Sequence, residues 1–440
     1  MSHGGEKFQV IIAGAGIAGA AMALFLSRLD IHLTILESRT CRPNTAEGGM
    51  IMLGPNGMNV LHGLGLSRKL FQRETGIQVS HITIRDGSGD LIGQVPQGSV
   101  ECHGSASTAL LRWDIHEVLL DALEERRIDL RWSSRVESTE ELDSGITVRW
   151  SEAGEVKEKK ADLLIGADGI WSTTRPSMYE CLGLAVPKPR YSGLVGIGFI
   201  LDTDSVPGLA TFITLEQPIV MVHDRLGFVG IMLYDKKGQK VGWWTTHEAS
   251  ERSREEWKLP REQILHELYE RYSTCAFPIH QLIQASENSG DQPFIWPVYE
   301  VEKLGHWHSR RTVLIGDAAH AMPPHSGQGA SQALEDAGYL AHLLRQYLNQ
   351  HRDSVGVSAT ADLHSVLDTF QKERQPRVDE IVNEANRRGD MKRETGRVGM
   401  FVRKWMMRII FFFMTQRWMD RWFAYKVPGI EDWETSCPGE

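Results

Sequence analysis

The fold is decided by residues 8–37, which read FQVIIAGAGIAGAAMALFLSRLDIHLTILE. This stretch contains an apolar run, a glycine-rich turn, a segment of small and apolar residues, and a second apolar run. The pattern predicts strands at residues 8–13 and 31–36, with a helix from about Ala20 to Leu29 between them. A strand, a helix and a strand in this order form a βαβ unit, which indicates an α/β fold.

The turn between the first strand and the helix contains Gly14, Gly16 and Gly19. Such glycines permit a tight turn, let the backbone approach a pyrophosphate, and allow a helix to pack closely on a strand. The following helix presents free N–H groups and the positive end of its dipole to phosphates. Glu37, at the end of the second strand, is placed to accept hydrogen bonds from ribose hydroxyls. These features predict a dinucleotide site, with a glycine-rich turn in another α/β fold as the alternative, and the motif alone does not separate NAD from FAD.

The composition narrows the class of protein. A chain of 440 residues is too long for one ordinary core and is typical of two or three packed subdomains. The net charge of −9 argues against a general nucleic-acid binder, which would carry an excess of basic residues. The five cysteines are scattered without a CxxC pair, so we expect no disulfide framework, no metal site and a reducing, cytoplasmic compartment. We also expect no signal peptide, because the sequence begins with polar residues.

Four further segments carry motifs. They are LIGDAAHAMPPHSGQGA at residues 314–330, ADLLIGADGIWSTTR at residues 161–175, LLRWDI at residues 110–115, and GGMI at residues 48–51. The first two contain apolar runs that predict buried strands. A helix is predicted to begin at Gln328, and another at about Asp114, where Asp114 and Glu117 resemble a capping box.

Together with the glycine-rich turn, these segments resemble the motifs of the single-component aromatic hydroxylases, also called group A flavoprotein monooxygenases. The three principal motifs occur in the correct order, and the resemblance runs from about residue 8 to about residue 426. It favours FAD as the bound dinucleotide. The sequence departs from the family at Ser331, where Asn is frequent, and at Ser38, where many relatives have Arg directly after the ribose acid.

The resemblance implies which residues bind FAD. Asp317 is expected to contact the ribitol chain, and Arg112 to reach the phosphates or the ribitol. Asp168 lies in the segment that affects both FAD and NAD(P)H use in the family, with a side chain that only ties a turn as the alternative. Gly49 lies in a loop near the flavin ring. The residues implied for the loop beside the flavin pyrimidine are Pro324, Gly327, Gly329 and Ala330. A helix dipole at that position would stabilise negative charge on reduced flavin.

The implied architecture is a Rossmann-like FAD-binding domain with an inserted β-sheet substrate domain and C-terminal helices. Short β-rich runs between about Pro187 and Pro297 support the insertion. We therefore assign residues 1–186 and 299–350 to the FAD-binding domain, residues 187–298 to the substrate domain, and residues 351–440 to a C-terminal helical region.

The implied function is an FAD-dependent monooxygenase that uses NAD(P)H and O2 to hydroxylate or epoxidise an electron-rich organic substrate through a flavin C4a-hydroperoxide. The expected partners are therefore O2 and a small organic molecule, such as a secondary metabolite, and NADPH is favoured over NADH by family tendency. The alternatives are a flavin-dependent reductase or dehydrogenase, and a nonenzymatic FAD-binding regulator. Neither the substrate, nor the choice among hydroxylation, epoxidation and oxidative rearrangement, follows from the sequence.

No catalytic side chain can be assigned from the sequence. His320 belongs to the FAD motif, and we expect it to support the loop rather than act as a base. The candidate substrate contacts in the predicted sheet domain, with core packing as the alternative for the aromatic residues, are Trp243, Trp244, Trp296, His223 and Arg225.

The segment at residues 401–414, FVRKWMMRIIFFFM, is both aromatic and basic, as interfacial helices are. Charges at Arg403, Lys404 and Arg408 interrupt it, so it is not expected to span a membrane. We favour helices that pack on the core, with association at a membrane surface as the alternative.

Overall fold

The structure is a computed structural model that describes residues 7–43, 49–253, 255–351 and 358–436. The strands within these residues are β1 (Gln9–Ala13), β2 (His32–Leu36), β3 (Met50–Leu53), β4 (Ile77–Val79), β5 (His81–Asp86), β6 (Leu91–Pro96), β7 (Ser107–Leu111), β8 (Asp129–Arg131), β9 (Ser134–Leu142), β10 (Gly145–Glu152), β11 (Glu155–Ala161), β12 (Leu163–Gly166), β13 (Pro189–Asp202), β14 (Ile219–Asp224), β15 (Gly227–Leu233), β16 (Lys240–Glu248), β17 (Phe294–Val301) and β18 (Thr312–Leu314).

The α-helices in the same residues are α1 (Ile17–Leu26), α2 (Pro55–Gly63), α3 (Ser67–Phe71), α4 (Val100–His103), α5 (Arg112–Glu125), α6 (Thr174–Cys181), α7 (Leu209–Phe212), α8 (Arg261–Arg271), α9 (Ile279–Ser289), α10 (Asp317–His320), α11 (Gly329–Gln350), α12 (Ser358–Asp390), α13 (Arg397–Phe413) and α14 (Gln416–Phe423).

Five strands form a parallel sheet in the order β18-β12-β1-β2-β8. β1 lies at its centre, where Val10 pairs with Leu163 of β12 and with Leu33 of β2. All ten residues of α1 are buried, because its small side chains let it pack closely against α5 and α11. A parallel sheet covered by helices is the arrangement expected when apolar strands are buried on both faces. It confirms the predicted α/β, Rossmann-like fold.

A second, seven-stranded sheet has the order β17-β13-β16-β15-β14-β5-β6. One face packs against α8 and α9 in a core cluster that includes Ile197, Val229 and Trp243. Side chains alternate between the faces of a strand, so residues 198, 230 and 244 lie on the opposite face. β5 and β6 precede residue 187, so the segment 187–298 that we predict as the substrate domain does not contain the whole sheet.

Two small antiparallel sheets complete the strands of the described residues. One has the order β11-β10-β9 and packs against the parallel sheet through a cluster that includes Ile146, Trp150 and Leu164. The other has the order β3-β7-β4 and links the region after Gly49 to the strand that leads into α5. This second sheet therefore brings two predicted cofactor segments together.

Two predicted helix starts are wrong. α1 begins at Ile17 rather than at Ala20, directly after the glycine-rich turn. α5 begins at Arg112, because β7 leads directly into it, and Leu111 occupies the capping position. Asp114 consequently lies inside the first turn rather than at the capping position, and its carboxylate accepts a hydrogen bond from Thr75 Oγ1 at 2.6 Å.

The C-terminal region is helical from α12 onward, as predicted. α12 packs on α11 and buries Leu367, Phe370 and Val378 in the main core. For α13 the favoured interpretation of a core helix is wrong, because Met407 is its one buried residue. In the part of the chain that the structure describes, no helix combines the length and the apolar composition needed to cross a bilayer.

Candidate functional site

The glycine-rich turn packs against the loop that follows β12. Gly14 has a φ of +97°, and a Cβ at this position would lie 2.5 Å from the carbonyl oxygen of Ala167. A Cβ on Gly19 would lie 2.0 Å from the carbonyl oxygen of Gly14. In contrast, outside Gly16 and its two neighbours in the chain, no heavy atom of the described residues lies within 4 Å of the position that a Cβ on Gly16 would take. The turn is therefore tight at Gly14 and Gly19, whereas Gly16 leaves its outer side open to an approaching phosphate.

Glu37 follows β2, and its carboxylate lies beside this turn. Its Oε2 accepts a hydrogen bond from the Ala15 N–H at 2.7 Å, and its Oε1 accepts one from the Arg39 N–H at 2.9 Å. These bonds hold the half-buried carboxylate at the end of the central strands. Ser38 Oγ also donates a long hydrogen bond to Oε1, at 3.4 Å. Each carboxylate oxygen has two lone pairs, so Oε2 retains capacity to accept a hydrogen bond from a hydroxyl group.

The two carboxylate oxygens of Asp168 have different surroundings. Oδ2 accepts hydrogen bonds from the backbone N–H groups of Thr173 and Thr174, at 2.9 Å and 3.0 Å, and so ties the start of α6. Oδ1 is buried and has no hydrogen-bond partner among the described residues. A buried carboxylate oxygen without a partner is costly unless a ligand satisfies it. Tying the turn thus accounts for Oδ2 alone and leaves Oδ1 without a partner among the described residues.

Asp317 begins α10, and its side chain is exposed. The preceding Gly316 has a φ of +58°, and a Cβ there would lie 3.0 Å from the Cβ of Ala18 in α1. Asp317 therefore lies close to the N-terminal end of α1.

Arg175 is a structural residue to which we assigned no role from the sequence. It is buried, and its guanidinium donates hydrogen bonds to the carbonyl oxygens of Ala318 and Ile170, at 2.9 Å and 2.8 Å. It thereby joins the loop after β12 to α10. The signal in the sequence is its place seven residues after Asp168, at the end of the GADGxxSxxR segment.

The loop after α10 leads into the N-terminus of α11. A 3-10 turn spans Pro324–Ser326, and Gly327 follows with a φ of +68°. Apart from the chain directly around each glycine, no heavy atom of the described residues lies within 4 Å of the positions that a Cβ on Gly327 or on Gly329 would take. α11 begins at Gly329 and runs for 22 residues, so its positive dipole end opens onto the exposed side of this loop. Ala330, in its first turn, is half-buried.

Gly49 and Arg112 are adjacent, because the Arg112 N–H donates a hydrogen bond to the Gly49 carbonyl oxygen at 3.1 Å. Gly49 has a φ of +64°, and a Cβ there would lie 2.9 Å from the ring of Phe294. Gly48, the other glycine of this segment, lies outside the described residues. The Gly49 loop thus separates the start of α5 from the seven-stranded sheet.

A buried network of polar side chains lies in the first turns of α11, just after the Pro324–Gly327 loop. Glu335 accepts hydrogen bonds from Asn56 Nδ2 at 2.6 Å and from Arg377 Nη2 at 2.8 Å, and it also pairs with Arg374. Asp336 accepts one from Arg374 Nε at 2.9 Å. Burial alone would raise the pKa of Glu335, but the two guanidinium groups hold it below its ordinary value. The network joins α2, α11 and α12, and we did not predict it from the sequence.

His320 belongs to the same network. Its Nε2 lies 2.6 Å from Oδ2 of Asp336, which also accepts a hydrogen bond from the Gly316 N–H at 2.9 Å. The ring is buried beside Trp307, with the ring centroids 5.1 Å apart. This geometry supports the structural role expected for His320 and places it behind the loop rather than in the open cleft.

The face of the seven-stranded sheet that lies away from α8 and α9 carries half-buried aromatic rings. Phe294, Trp296 and Trp244 lie flat on glycine positions of the sheet. A Cβ would lie 2.4 Å from the Phe294 ring if placed on Gly198, 2.0 Å from the Trp296 ring if placed on Gly196, and 2.3 Å from the Trp244 ring if placed on Gly230. Since Phe294 also contacts Gly49, this aromatic surface adjoins the Gly49 loop, which we predict to lie near the flavin ring.

The other candidate substrate contacts from the sequence have different positions. Trp243 is fully buried on the opposite face of the sheet, where its Nε1 donates a hydrogen bond to Ser286 Oγ at 3.0 Å, so it is a core residue. Arg225 is exposed at the turn after β14. His223 is buried on the aromatic face, and its Nδ1 has no hydrogen-bond partner among the described residues.

A buried lysine lies between this sheet face and the Pro324–Gly327 loop. The Lys392 ammonium is 3.2 Å from His325 Nδ1 and 4.0 Å from the centroid of the Phe228 ring. Burial lowers the pKa of Lys392 to about 7, and the nearby Arg388 charge acts in the same direction. Burial also lowers the pKa of His325 well below its ordinary value, as do the charges of Lys392 and Arg393. His325 lies within the Pro324–Ser326 turn, so a titratable pair borders the loop.

Two depressions border these elements. A cavity of about 370 Å³ lies beside His325 and is lined by polar residues that include Arg190, Asn386 and Arg393. A larger groove of about 1290 Å³ runs along the outside of the seven-stranded sheet. Its aromatic and basic lining residues are Trp171, Trp257, Trp296, Tyr299, Arg252 and Lys258. Trp171 belongs to the loop after Asp168, so the groove reaches the predicted cofactor segments.

These observations fit FAD as the bound group. Gly16, Gly327 and Gly329 leave open space at backbone positions that a cofactor approaches closely, and the buried Oδ1 of Asp168 lacks a partner. The contacts described above bring Glu37, the loop after β12 and the start of α10 together beside the N-terminal end of α1, and they place Gly49 next to Arg112. Among the described residues, no group of three or more His, Cys, Asp or Glu side chains is arranged to hold a metal ion.

Comparison with known proteins decides the family. A family model described as FAD binding domain matches residues 7–385. The chain belongs to this family of FAD-dependent, aromatic-hydroxylase-like monooxygenases. The predicted flavoprotein monooxygenase function is thereby confirmed.

Curated relatives and solved structures agree with this assignment. The chain is 29% identical over 383 residues to the 3-amino-4-hydroxybenzoate 2-monooxygenase PtnB3 of Streptomyces platensis, a match that covers 87% of each chain. It is 28% identical over 404 residues to the aurachin C monooxygenase/isomerase of Stigmatella aurantiaca, covering 91% of this chain and 94% of that protein. The fold resembles that of Klebsiella pneumoniae HpxO complexed with FAD and uric acid, with a TM-score of 0.74, 22% identity, and coverage of 98% and 97% of the two chains.

Proposed function

We propose that this FAD-dependent monooxygenase uses NAD(P)H and O2 to oxygenate an electron-rich organic molecule that lies on the aromatic face of the seven-stranded sheet. The observation that carries the proposal is the contact between Gly49 and Phe294, because it joins the predicted flavin loop to that face. When bound and reduced, FAD supplies the activation of O2 that delivers one oxygen atom to the substrate.

The residues proposed to hold FAD divide by the part of the cofactor that they face. Gly14, Gly16 and Gly19 accommodate the pyrophosphate, and Glu37 accepts hydrogen bonds from the ribose of the adenosine. Arg112 and Asp317 are proposed to bind the phosphate and ribitol region. The free Oδ1 of Asp168 supports a further contact to the cofactor, because it is buried and lacks a partner among the described residues.

The proposed ring site is the open loop at the start of α11. Gly49 lies on one side, and Pro324, Gly327, Gly329 and Ala330 form the other. The N-terminus of α11 places its positive dipole end where reduced flavin carries negative charge. The task of the surrounding aromatic side chains is to position the substrate and exclude water, since water in the site releases H2O2 without oxygenation.

NADPH is the proposed reductant, on the tendency of the family, with NADH as the alternative. The groove beside Trp171 supports a nicotinamide dinucleotide site, because its lining includes the exposed Trp171 and the half-buried Tyr299, and aromatic rings can stack on planar groups. Arg252 and Lys258 in the same groove supply positive charge for phosphates. We also propose a cytoplasmic location, supported by the unpaired thiols of the four described cysteines.

The domain division at residues 186, 298 and 350 stays a proposal. The type of oxygenation is likewise open among hydroxylation, epoxidation and oxidative rearrangement. The names of two relatives bear on the substrate. One is named a monooxygenase acting on an aminohydroxybenzoate, and the other a monooxygenase/isomerase. We therefore propose an aromatic or similarly electron-rich substrate without choosing its product class.

One experiment tests the proposal as a whole. The purified protein is mixed with candidate aromatic substrates, and NADPH oxidation, O2 uptake and product mass are recorded together. With labelled O2 we expect one labelled oxygen atom in the product. Label that arrives only from water, or full activity without O2, would favour the reductase alternative and contradict the proposed oxygenation.

A further inference from the structure

The outer face of α13 and the start of α14 carry an unusual concentration of exposed apolar side chains. Half of the large apolar side chains that are exposed in the described residues lie between positions 398 and 418. They are Val398, Phe401, Val402, Trp405, Met406, Ile409, Ile410, Phe412, Phe413 and Trp418, which we call the apolar face. Soluble monomers rarely expose a contiguous apolar surface of this kind, and such a surface marks an interaction site.

The orientation of α13 is the reverse of that of an ordinary surface helix, which turns its apolar side toward the core. Here three basic side chains face the protein, those of Arg403, Lys404 and Arg408. Lys404 forms ion pairs with Asp86 and with Asp90, the latter at 2.7 Å, and Arg408 donates a hydrogen bond to the Leu91 carbonyl oxygen at 3.0 Å. These bonds fix the helix on the β5-β6 hairpin with its apolar face toward solvent.

Further contacts hold α13 in this orientation. Met407 is buried among residues of the sheet, and Phe411 packs against Gly93 of β6. Arg403 donates a hydrogen bond to the Met391 carbonyl oxygen at 2.7 Å, at the end of the preceding helical region. Since both apolar and polar contacts anchor the inner side, the outward apolar face is a built feature of the fold.

The charge around the apolar face indicates its partner. Residues 397–426 contain seven basic residues and one acidic residue, whereas the whole chain has a net charge of −9. Arg397, Arg417, Arg421 and Lys426 are exposed in this segment. A second copy would bring this positive charge against the same positive charge, which is unfavourable. An anionic lipid surface offers the opposite charge together with an apolar interior.

The composition and the size of the surface also fit a bilayer interface. Trp405 and Trp418 are the aromatic type that is enriched at the level of lipid head groups. α13 has 17 residues, so at about 1.5 Å per residue it is about 25 Å long and can lie in the plane of the membrane. We propose that α13 and the start of α14 dock this protein on anionic phospholipid bilayers through the apolar face, without spanning them.

Vesicle sedimentation of the full-length, FAD-loaded protein tests this proposal. We expect the protein to sediment with vesicles of phosphatidylcholine and phosphatidylserine, and to bind vesicles of phosphatidylcholine alone more weakly. The triple variant Phe401→Ser/Ile409→Ser/Phe412→Ser should lower binding by about tenfold or more, because it removes apolar area that enters the bilayer. The double variant Arg397→Gln/Arg417→Gln should weaken binding mainly at low salt.

The matched control is Leu142→Ser/Val156→Ser/Leu182→Ser, which removes three exposed apolar side chains elsewhere. It should bind vesicles as the wild type does, and all variants should keep the wild-type melting temperature and flavin spectrum. Wild-type protein that stays in the supernatant with anionic vesicles would overturn the proposal. Equal vesicle binding by the triple variant and the wild type would overturn it too. So would a wild-type protein that binds no lipid but forms a dimer in light scattering, if the triple variant is a monomer.

Discussion

Replacing Lys392 by methionine should change the pH dependence of stability. The lysine is 9% exposed, and burial lowers its pKa to about 7, whereas an unfolded chain holds it near the ordinary value of 10.5. Between these two values the unfolded state binds more protons than the folded state. Unfolding therefore becomes less favourable as the pH rises through this window, and the full penalty of a buried ammonium applies below pH 7.

The expected magnitude follows from that window. One pKa unit corresponds to about 1.4 kcal/mol, so a rise of about two pH units inside the window stabilises the wild type by about 3 kcal/mol through Lys392. Lys392→Met lacks this contribution. The loss of the contact to His325 Nδ1 shifts the whole curve of the variant but leaves its slope unchanged, because that contact is lost at every pH. The titrating groups other than His325 and His223, whose pKa values the Lys392 charge lowers, cancel in the comparison, since both proteins retain them.

The assay is urea unfolding of the FAD-loaded protein at several pH values between pH 7 and pH 10, with free FAD held constant. The control is Lys372→Met, which removes an exposed lysine from α12, the helix that ends two residues before Lys392. The wild type and this control should gain stability with pH in parallel, and Lys392→Met should gain about 3 kcal/mol less over about two units. Parallel curves for wild type and Lys392→Met would refute the reasoning that a protonated Lys392 is costly in the folded state.

Three further predictions concern the cofactor frame. Gly19→Ala should unfold the protein or lower its melting temperature sharply, because its Cβ would lie 2.0 Å from a carbonyl oxygen. Gly16→Ala should melt like the wild type but bind FAD more weakly by about tenfold or more. A Gly16→Ala protein with wild-type FAD affinity in a fluorescence titration would contradict the pyrophosphate role. Asp317→Ala should weaken FAD binding by about 1–3 kcal/mol in the same titration, and equal dissociation constants would remove Asp317 from the site. Glu335→Gln should lower the free energy of unfolding by about 3–5 kcal/mol, because the charge of Arg374 stays buried with half of its pairing lost, and an unchanged urea midpoint would show that the pair adds no stability.

The parts of the fold that could be predicted from the sequence are those set by local pattern. Gly14 and Gly19 are required by contacts within a few residues of the turn and with the neighbouring strand, so a short motif encodes them. The short β-rich runs within β13, β15 and β16 likewise show directly in the sequence, because most of these residues are buried and apolar. Helix starts were less accurate, since Arg112 and Ile17 enter helices directly from a strand and a turn without a capping side chain.

The parts that could not be predicted depend on contacts between distant residues. Asn56 and Glu335 are 279 positions apart, and no periodicity links them. The direction of α13 was wrong for a related reason: an amphipathic pattern shows that a helix has an apolar side but not which side meets the protein. Contacts between distant residues decide that the apolar side faces outward, among them the ion pairs of Lys404 with the β5-β6 hairpin.

The buried network also changes what counts as the cofactor frame. α12 lies beyond the last strand of the parallel sheet, and its sequence shows only a helix, so we assigned it to a separate C-terminal region. Yet Arg374 and Arg377 of α12 neutralise the acids of α11, and Asp336 in turn holds the Gly316 N–H and His320. Without those cations, the buried carboxylates of Glu335 and Asp336 would be unpaired, and burying an unpaired charge is costly. The start of α11, which follows Gly327 and Gly329, could then not pack as it does. The orientation of the Pro324–Gly327 loop therefore depends on α12. This agrees with the family match, which extends to residue 385 rather than ending with β18.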